Sequence, residues 1–408
     1  MAKPERLLSF GITGTVNPAT PLNRNPSYLL SILDVQKLLI EIAHEPKSRA
    51  AIQKALSDTD ITLEDLVETG LLRQTGEHYR ISFILFLKED LEIVKSTAGE
   101  FARDLAEVYL SQKGKFTNIL ARSNNLHNTI HELAFILIGC FSLDWDGLQI
   151  TSELGYRAEA QPTKLGDRYL TWAEERQYEA VRQIYWGSHN DYYPECVLTS
   201  FGDHCALPRT TFPDLAWLME HKIYDLDLPS PIEHHLMQAF SPFVSDFAEQ
   251  TGEIMLSLAE GDRTLEDLAE SLGETPDEIL VKVELLGSLN WVAGDATNGF
   301  RPSIPVIPLG DVDMVKEILT LSGDLLVDWL PEQINDLQDQ LSEITPLKYG
   351  LTFKEVFSQI WHYLFGLTNR HLVEAGFFAD PYSPDRSFQG FIPAVWHPDV
   401  MPEETTFH

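Results

Sequence analysis

Cysteine is scarce in this chain. Cys140, Cys196 and Cys205 are the only three in 408 residues, too few for a disulfide framework, so a reducing cytoplasm is the expected setting. Positive charge is short as well: 30 Lys and Arg stand against 62 Asp and Glu, a formal net charge of −32. Such a surface repels phosphate backbones and anionic lipid headgroups unless basic residues are gathered somewhere. Residues 1–222 hold 22 basic and 30 acidic side chains, and residues 223–408 only 8 and 32. Any contact with DNA therefore belongs to the first half. Long apolar runs are also missing. The longest, Leu133–Phe141, is about half of the ~18 residues that a bilayer-spanning helix needs, so it reads as a buried helix and no membrane partner is expected. The opening MAKPERLLSFGITG lacks the apolar stretch of a secretory signal. The strong catalytic and phosphate-binding signatures are absent too: no GxxxxGK[ST], no GxGxxG after a strand, no HExxH, no GxSxG and no CxxC.

What is present is an ordinary globular composition, 44% apolar and 23% charged, in a chain long enough to bury roughly three quarters of its unfolded surface without a metal or disulfide staple. It also contains a repeat. Tyr79–Lys95 (YRISFILFLKEDLEIVK) lies over Phe300–Lys316 (FRPSIPVIPLGDVDMVK) without a gap, at a constant offset of 221 positions. Within it, Asp90–Lys95 and Asp311–Lys316 match by identity or conservative exchange throughout. The preceding segments correspond in kind. Apolar periodicity predicts a first helix over 28–43 and 247–259, a second over 47–56 and 264–272, and a third over 63–72 and 276–289. A polar Gly-containing turn, at 73–78 or 294–299, then leads into an alternating strand. Beyond it come a long helix and a strongly apolar one, at 90–120 and 131–141 in the first copy and from 312 and over 353–365 in the second. The repeated Asp90 and Asp311 read as structural caps.

Three helices and a hairpin are the order of a winged helix. Thr62-Leu-Glu-Asp, Thr264-Leu-Glu-Asp and Thr275-Pro-Asp-Glu supply capping hydroxyls with acidic first turns. The segment Arg263–Leu280, RTLEDLAESLGETPDEIL, resembles the helix-turn-helix of ArsR- and MarR-like winged-helix proteins. That resemblance implies a DNA-reading ancestry, with the third helix in the major groove. Groove reading needs donors there, yet the two third helices offer Glu64, Asp65, Glu68 and Thr69, and Asp277, Glu278, Lys282 and Glu284. Carboxylates at that surface disfavour DNA.

The segment between the copies gathers Trp172, Trp186, Trp217, five tyrosines and two of the three cysteines. Its 171–185 stretch reads as helical, and 186–196 as a turn-rich loop that presents side chains. Tyr185, Trp186, His189, Tyr192 and Tyr193 are the candidate lining of a pocket for a small aromatic ligand; the alternative is that they fill the junction. His189, Cys196, His204 and Cys205 are candidate metal ligands by chemistry, though their spacing fits no standard site. Adjacent His204 and Cys205 would have to splay, and a Cys205 nucleophile served by His204 or His189 is a further option. No cofactor and no catalytic residue is assigned. His234-His235 and His397 read as structural.

The expected fold is mainly α with small β wings, α+β, an internal duplication of a winged helix plus helical bundle. It divides into an N-terminal arm (1–24), copy one (25–154), an aromatic-rich linking module (155–234), copy two (235–376) and a tail (377–408). The expected function is regulatory or scaffolding, through contacts with a protein partner. A ligand-responsive transcription regulator and an enzyme with its site at 185–205 are the alternatives, and a homodimer stays open.

Overall fold

Three polar side chains start the N-terminal helices. Asn25 accepts the N–H groups of Ser27 and Tyr28, Ser48 accepts that of Ala51, and Thr62 closes a capping box with Asp65, each cap worth about 1 kcal/mol. In the computed structural model, which describes residues 7–16, 20–159, 168–176, 183–206, 230–384 and 390–401, the chain mixes α and β with small sheets. β1 (Leu8–Thr15) leads to α1 (Pro26–Ser31), α2 (Leu33–His44), β2 (Lys47–Ser48), α3 (Arg49–Ala55) and α4 (Leu63–Glu68). The hairpin β3 (Leu72–Thr75) and β4 (His78–Ile81) follows, then β5 (Ile84–Phe86), α5 (Lys88–Ser111) and α6 (Lys113–Leu120). Next comes α7 (Ile130–Glu153), whose middle, Phe135–Asp146, is wound as a π-helix. It is apolar enough to pass for a membrane span by length and composition, but most of it is buried inside the protein.

β6 (Arg168–Glu175), β7 (Tyr185–Tyr192) and β8 (Val197–Asp203) come next. The second half runs through α8 (Ser230–Ala259), α9 (Leu265–Leu272), α10 (Pro276–Ser288), β9 (Val292–Asp295), β10 (Gly299–Pro302) and β11 (Val306–Ile307). The long α11 (Val312–Gln340), short α12 (Thr345–Lys348), α13 (Phe353–Glu374) and β12 (Phe391–Trp396) complete it. Capping boxes at Thr264–Asp267, Thr275–Glu278 and Thr352–Glu355 open α9, α10 and α13.

Corresponding contacts recur in the two halves. Lys47 pairs with Tyr79 across β2 and β4, and Arg263 bridges Phe300, 221 positions after Tyr79. β6 lies between β1, antiparallel, and β5, parallel; β12 lies between β8, antiparallel, and β11, parallel. The halves also bond reciprocally. The Leu85 N–H donates to Tyr349 Oη at 3.1 Å, and the Val306 N–H donates to Asn128 Oδ1 at 3.0 Å. Both partners of the second bond differ from those of the first by 221 positions. The long helices cross in the same way, α5 packing on α13 of the other half and α11 on α7. One core spans these four helices, and a second lies among α8, α9, α10 and the β9–β10 hairpin.

Several sequence expectations change. The first helix breaks at Ile32, which is extended, giving α1 and α2. Residues 171–175 are strand, not helix: Tyr169, Thr171 and Ala173 are buried at a spacing of two, the period of a pleat. The 186–196 stretch is no open loop, since Tyr185–Tyr192 forms β7 and its backbone is paired with β8. Gly187, Ser188 and Asn190 look like turn residues, but pairing overrides that preference. Within the described part of the aromatic segment, β6 pairs with β1 and β5, and β7 and β8 lie in one sheet with β12. Trp217 lies outside the described residues.

Candidate functional site

β8 ends at Asp203, where the chain turns, so the side chains of Asp203, His204 and Cys205 are no longer held to opposite faces of a strand. Their ligand atoms lie within 4.8 Å of one another. The expected splay of His204 and Cys205 does not occur: Nε2 is 3.2 Å from Sγ. Asp203 is fully buried. Its Oδ2 accepts from the Gln183 N–H at 2.7 Å and Tyr382 Oη at 2.6 Å, and its Oδ1 from the Cys205 N–H at 2.9 Å.

His204 lies over Trp186 with ring centroids 4.0 Å apart. The protein packed around the ring desolvates its charged form, lowering its pKa to about 3. Trp186 meets His362 edge-on at 5.0 Å. Burial likewise lowers His362 to about 4, so at neutral pH it is an uncharged ring whose Nδ1 faces the Ser358 carbonyl at 2.6 Å. Glycine makes this packing possible. A Cβ on Gly187 would fall 2.8 Å from His204 Cα, and one on Gly366 would fall 2.9 Å from Trp186 Cδ1. Below the rings, Glu174 is 3% exposed and accepts from Gln359 Nε2 at 2.8 Å. Desolvation raises its pKa to about 7, opposed by the hydrogen bond from Gln359.

The structure divides the residues singled out from sequence. Tyr185 and Trp186 are core side chains, 4% and 9% exposed; Tyr185 sits between Phe135 and Tyr382. His189 points to Phe391 instead, Tyr192 is half exposed, and the Tyr193 hydroxyl donates to Asp191. Along β7, strand alternation sends neighbouring side chains to opposite faces. The four proposed metal ligands are also separated. Cys196 is buried against α8, where a Cβ on Gly252 would meet its sulfur, and burial with nearby carboxylates raises its pKa to about 12. Only His204 and Cys205 of that set meet. Sequence reasoning missed Asp203, Tyr382, Glu174 and His362. Asp203 adjoins His204 and could have been counted as a third ligand, and His362 stands inside the apolar run Ile360–Phe365, which is itself a signal. No family model, curated protein or solved structure matches the chain.

Proposed function

We propose that the chain is a duplicated, tandem winged-helix protein that works as a regulatory or scaffolding module through protein contacts. The reciprocal bonds at a constant offset support the duplication. Helix, strand contact, two helices and hairpin, found as α2–β4 and again as α8–β10, support the winged-helix reading.

The choice of partner rests on α10, the third helix of the second half. Its solvent face carries Asp277, Glu278, Val281 and Glu284, with Val281 61% exposed. The one basic residue on α10, Lys282, is 7% exposed and paired with Glu274. This face repels a phosphate backbone and suits a basic protein surface with an apolar centre. In α4, Glu64 and Glu68 are paired with Arg49 and Arg24, which leaves those arginines partly neutralised.

The test is binding of the full chain to a random-sequence duplex across a salt titration, beside cross-linking of the wild type and a Val281→Lys variant in native cytoplasm. The reading expects no salt-steep DNA binding and a cross-linked protein lost in the variant. Submicromolar DNA affinity with a steep salt slope would instead make the chain a transcription regulator.

A further inference from the structure

We propose that Asp203, His204 and Cys205 form a binding site for one divalent cation of the zinc class. Carboxylate, imidazole and thiolate are the ligand types of such ions. Three consecutive residues can converge here because the strand ends at Asp203 and the chain turns. Their ligand atoms already lie within 4.8 Å of one another, and Nε2 and Sγ are 3.2 Å apart. Around a tetrahedral ion, with Zn–N near 2.0 Å and Zn–S near 2.3 Å, that last separation is about 3.5 Å, so this pair needs to widen by only a few tenths of an ångström, and the Asp203 carboxylate oxygen, within 4.8 Å of both, closes in by a side-chain rotation.

The surrounding groups do what outer-shell groups of a metal site do. The imidazole is stacked on the Trp186 ring, which holds its orientation. Tyr382 and the Gln183 N–H orient the Asp203 carboxylate. Cys205 is partly exposed, which gives the ion a route in. On binding, the S–H bond breaks, the sulfur's electron pair goes to the metal and the proton to solvent. Thiolate and carboxylate together then neutralise the 2+ charge in a buried setting.

The probe is the metal alone, with no partner present. Co²⁺ added to the full chain should give one equivalent of a sulfur-to-metal charge-transfer band, and Zn²⁺ should displace it. The band should vanish in Cys205→Ser, with Zn²⁺ bound at least tenfold more weakly, and persist in Cys196→Ser. Circular dichroism checks that each variant is folded. If Cys205→Ser does not fold, alkylation decides on the unmodified protein: Zn²⁺ should slow labelling of Cys205 at least tenfold. Absence of the band, its survival in Cys205→Ser, its loss in Cys196→Ser, or alkylation indifferent to Zn²⁺ overturns the proposal.

Discussion

Asp311 accepts the backbone N–H of Asn124 at 2.7 Å, and the bond recurs reciprocally: Asp90, 221 positions before Asp311, accepts the N–H of Thr345, 221 positions after Asn124, also at 2.7 Å. Each half thus supplies one carboxylate and one backbone amide to the other. Asp90 also closes the start of α5 by accepting the Leu87 N–H. Asp311, at the start of α11, instead turns its carboxylate to Ser123 and Asn124. Loss of either carboxylate leaves amides of the opposite half without their acceptor, so Asp90→Ala and Asp311→Ala should each cost about 1–3 kcal/mol. Asp311→Ala should cost at least as much, because it also strands the Ser123 hydroxyl and the Asn124 amide. Urea midpoints measure this; a loss below ~0.5 kcal/mol in either variant would show these bonds to be incidental.

Glu174 makes stability depend on pH in an unusual direction. Its folded pKa of about 7 lies above the ordinary 4.5, so between those values the folded protein holds a proton that the unfolded chain has released. Stability from this group is full below pH ~4.5, falls as pH rises through 7 and is flat beyond, by up to about 3 kcal/mol. Glu174→Gln should remove that slope. Thermal melts should show the variant less stable than wild type, or equal to it, at pH 5 and more stable at pH 8. The same difference at both values would refute the assignment.

His204 and His362 act from the acid side. Their folded pKa values of about 3 and 4 lie below the ordinary 6.5, so their contribution is complete above pH ~6.5 and is lost as pH falls toward 4. With two protons taken up on unfolding, the expected slope approaches 2.7 kcal/mol per pH unit, reduced by the opposite slope of Glu174. Replacing His362 with Phe removes one of these protons. Acid unfolding followed by tryptophan fluorescence should then move to lower pH; an unchanged or higher midpoint would count against burial of the neutral ring.

Helix starts were legible because their signals are local. Thr62, Thr264 and Thr275 each announce a capping box within four residues, and each box forms. The repeat at Tyr79–Lys95 and Phe300–Lys316 was legible because strand and helix periodicities coincide there. β6 and β7 were not. Trp186–Tyr192 contains Gly187, Ser188 and Asn190, whose preference is for turns, and only pairing with the neighbouring β8 makes it a strand. The candidate site fails to show in sequence because its partners come from far apart in the chain. Asp203 and Tyr382 are 179 positions apart and Glu174 and Gln359 are 185 apart, separations over which no periodicity speaks.

Trp186 and His189 were linked in sequence as one pocket wall, and the structure sends them apart, which gives them different mutational costs. Trp186 is 9% exposed, stacked on His204, edge-on to His362 and Trp172, and seated over Gly366. Phe fills less of that space and forfeits part of the stack, so Trp186→Phe should cost about 1–3 kcal/mol. His189 is only partly buried and meets Phe391 at 5.6 Å, and His189→Ala should cost less than about 1 kcal/mol. Urea denaturation of the two variants beside wild type measures the difference. Equal losses would mean that the two side chains share one environment after all, and the separation of β7 into two unlike faces would have to be given up.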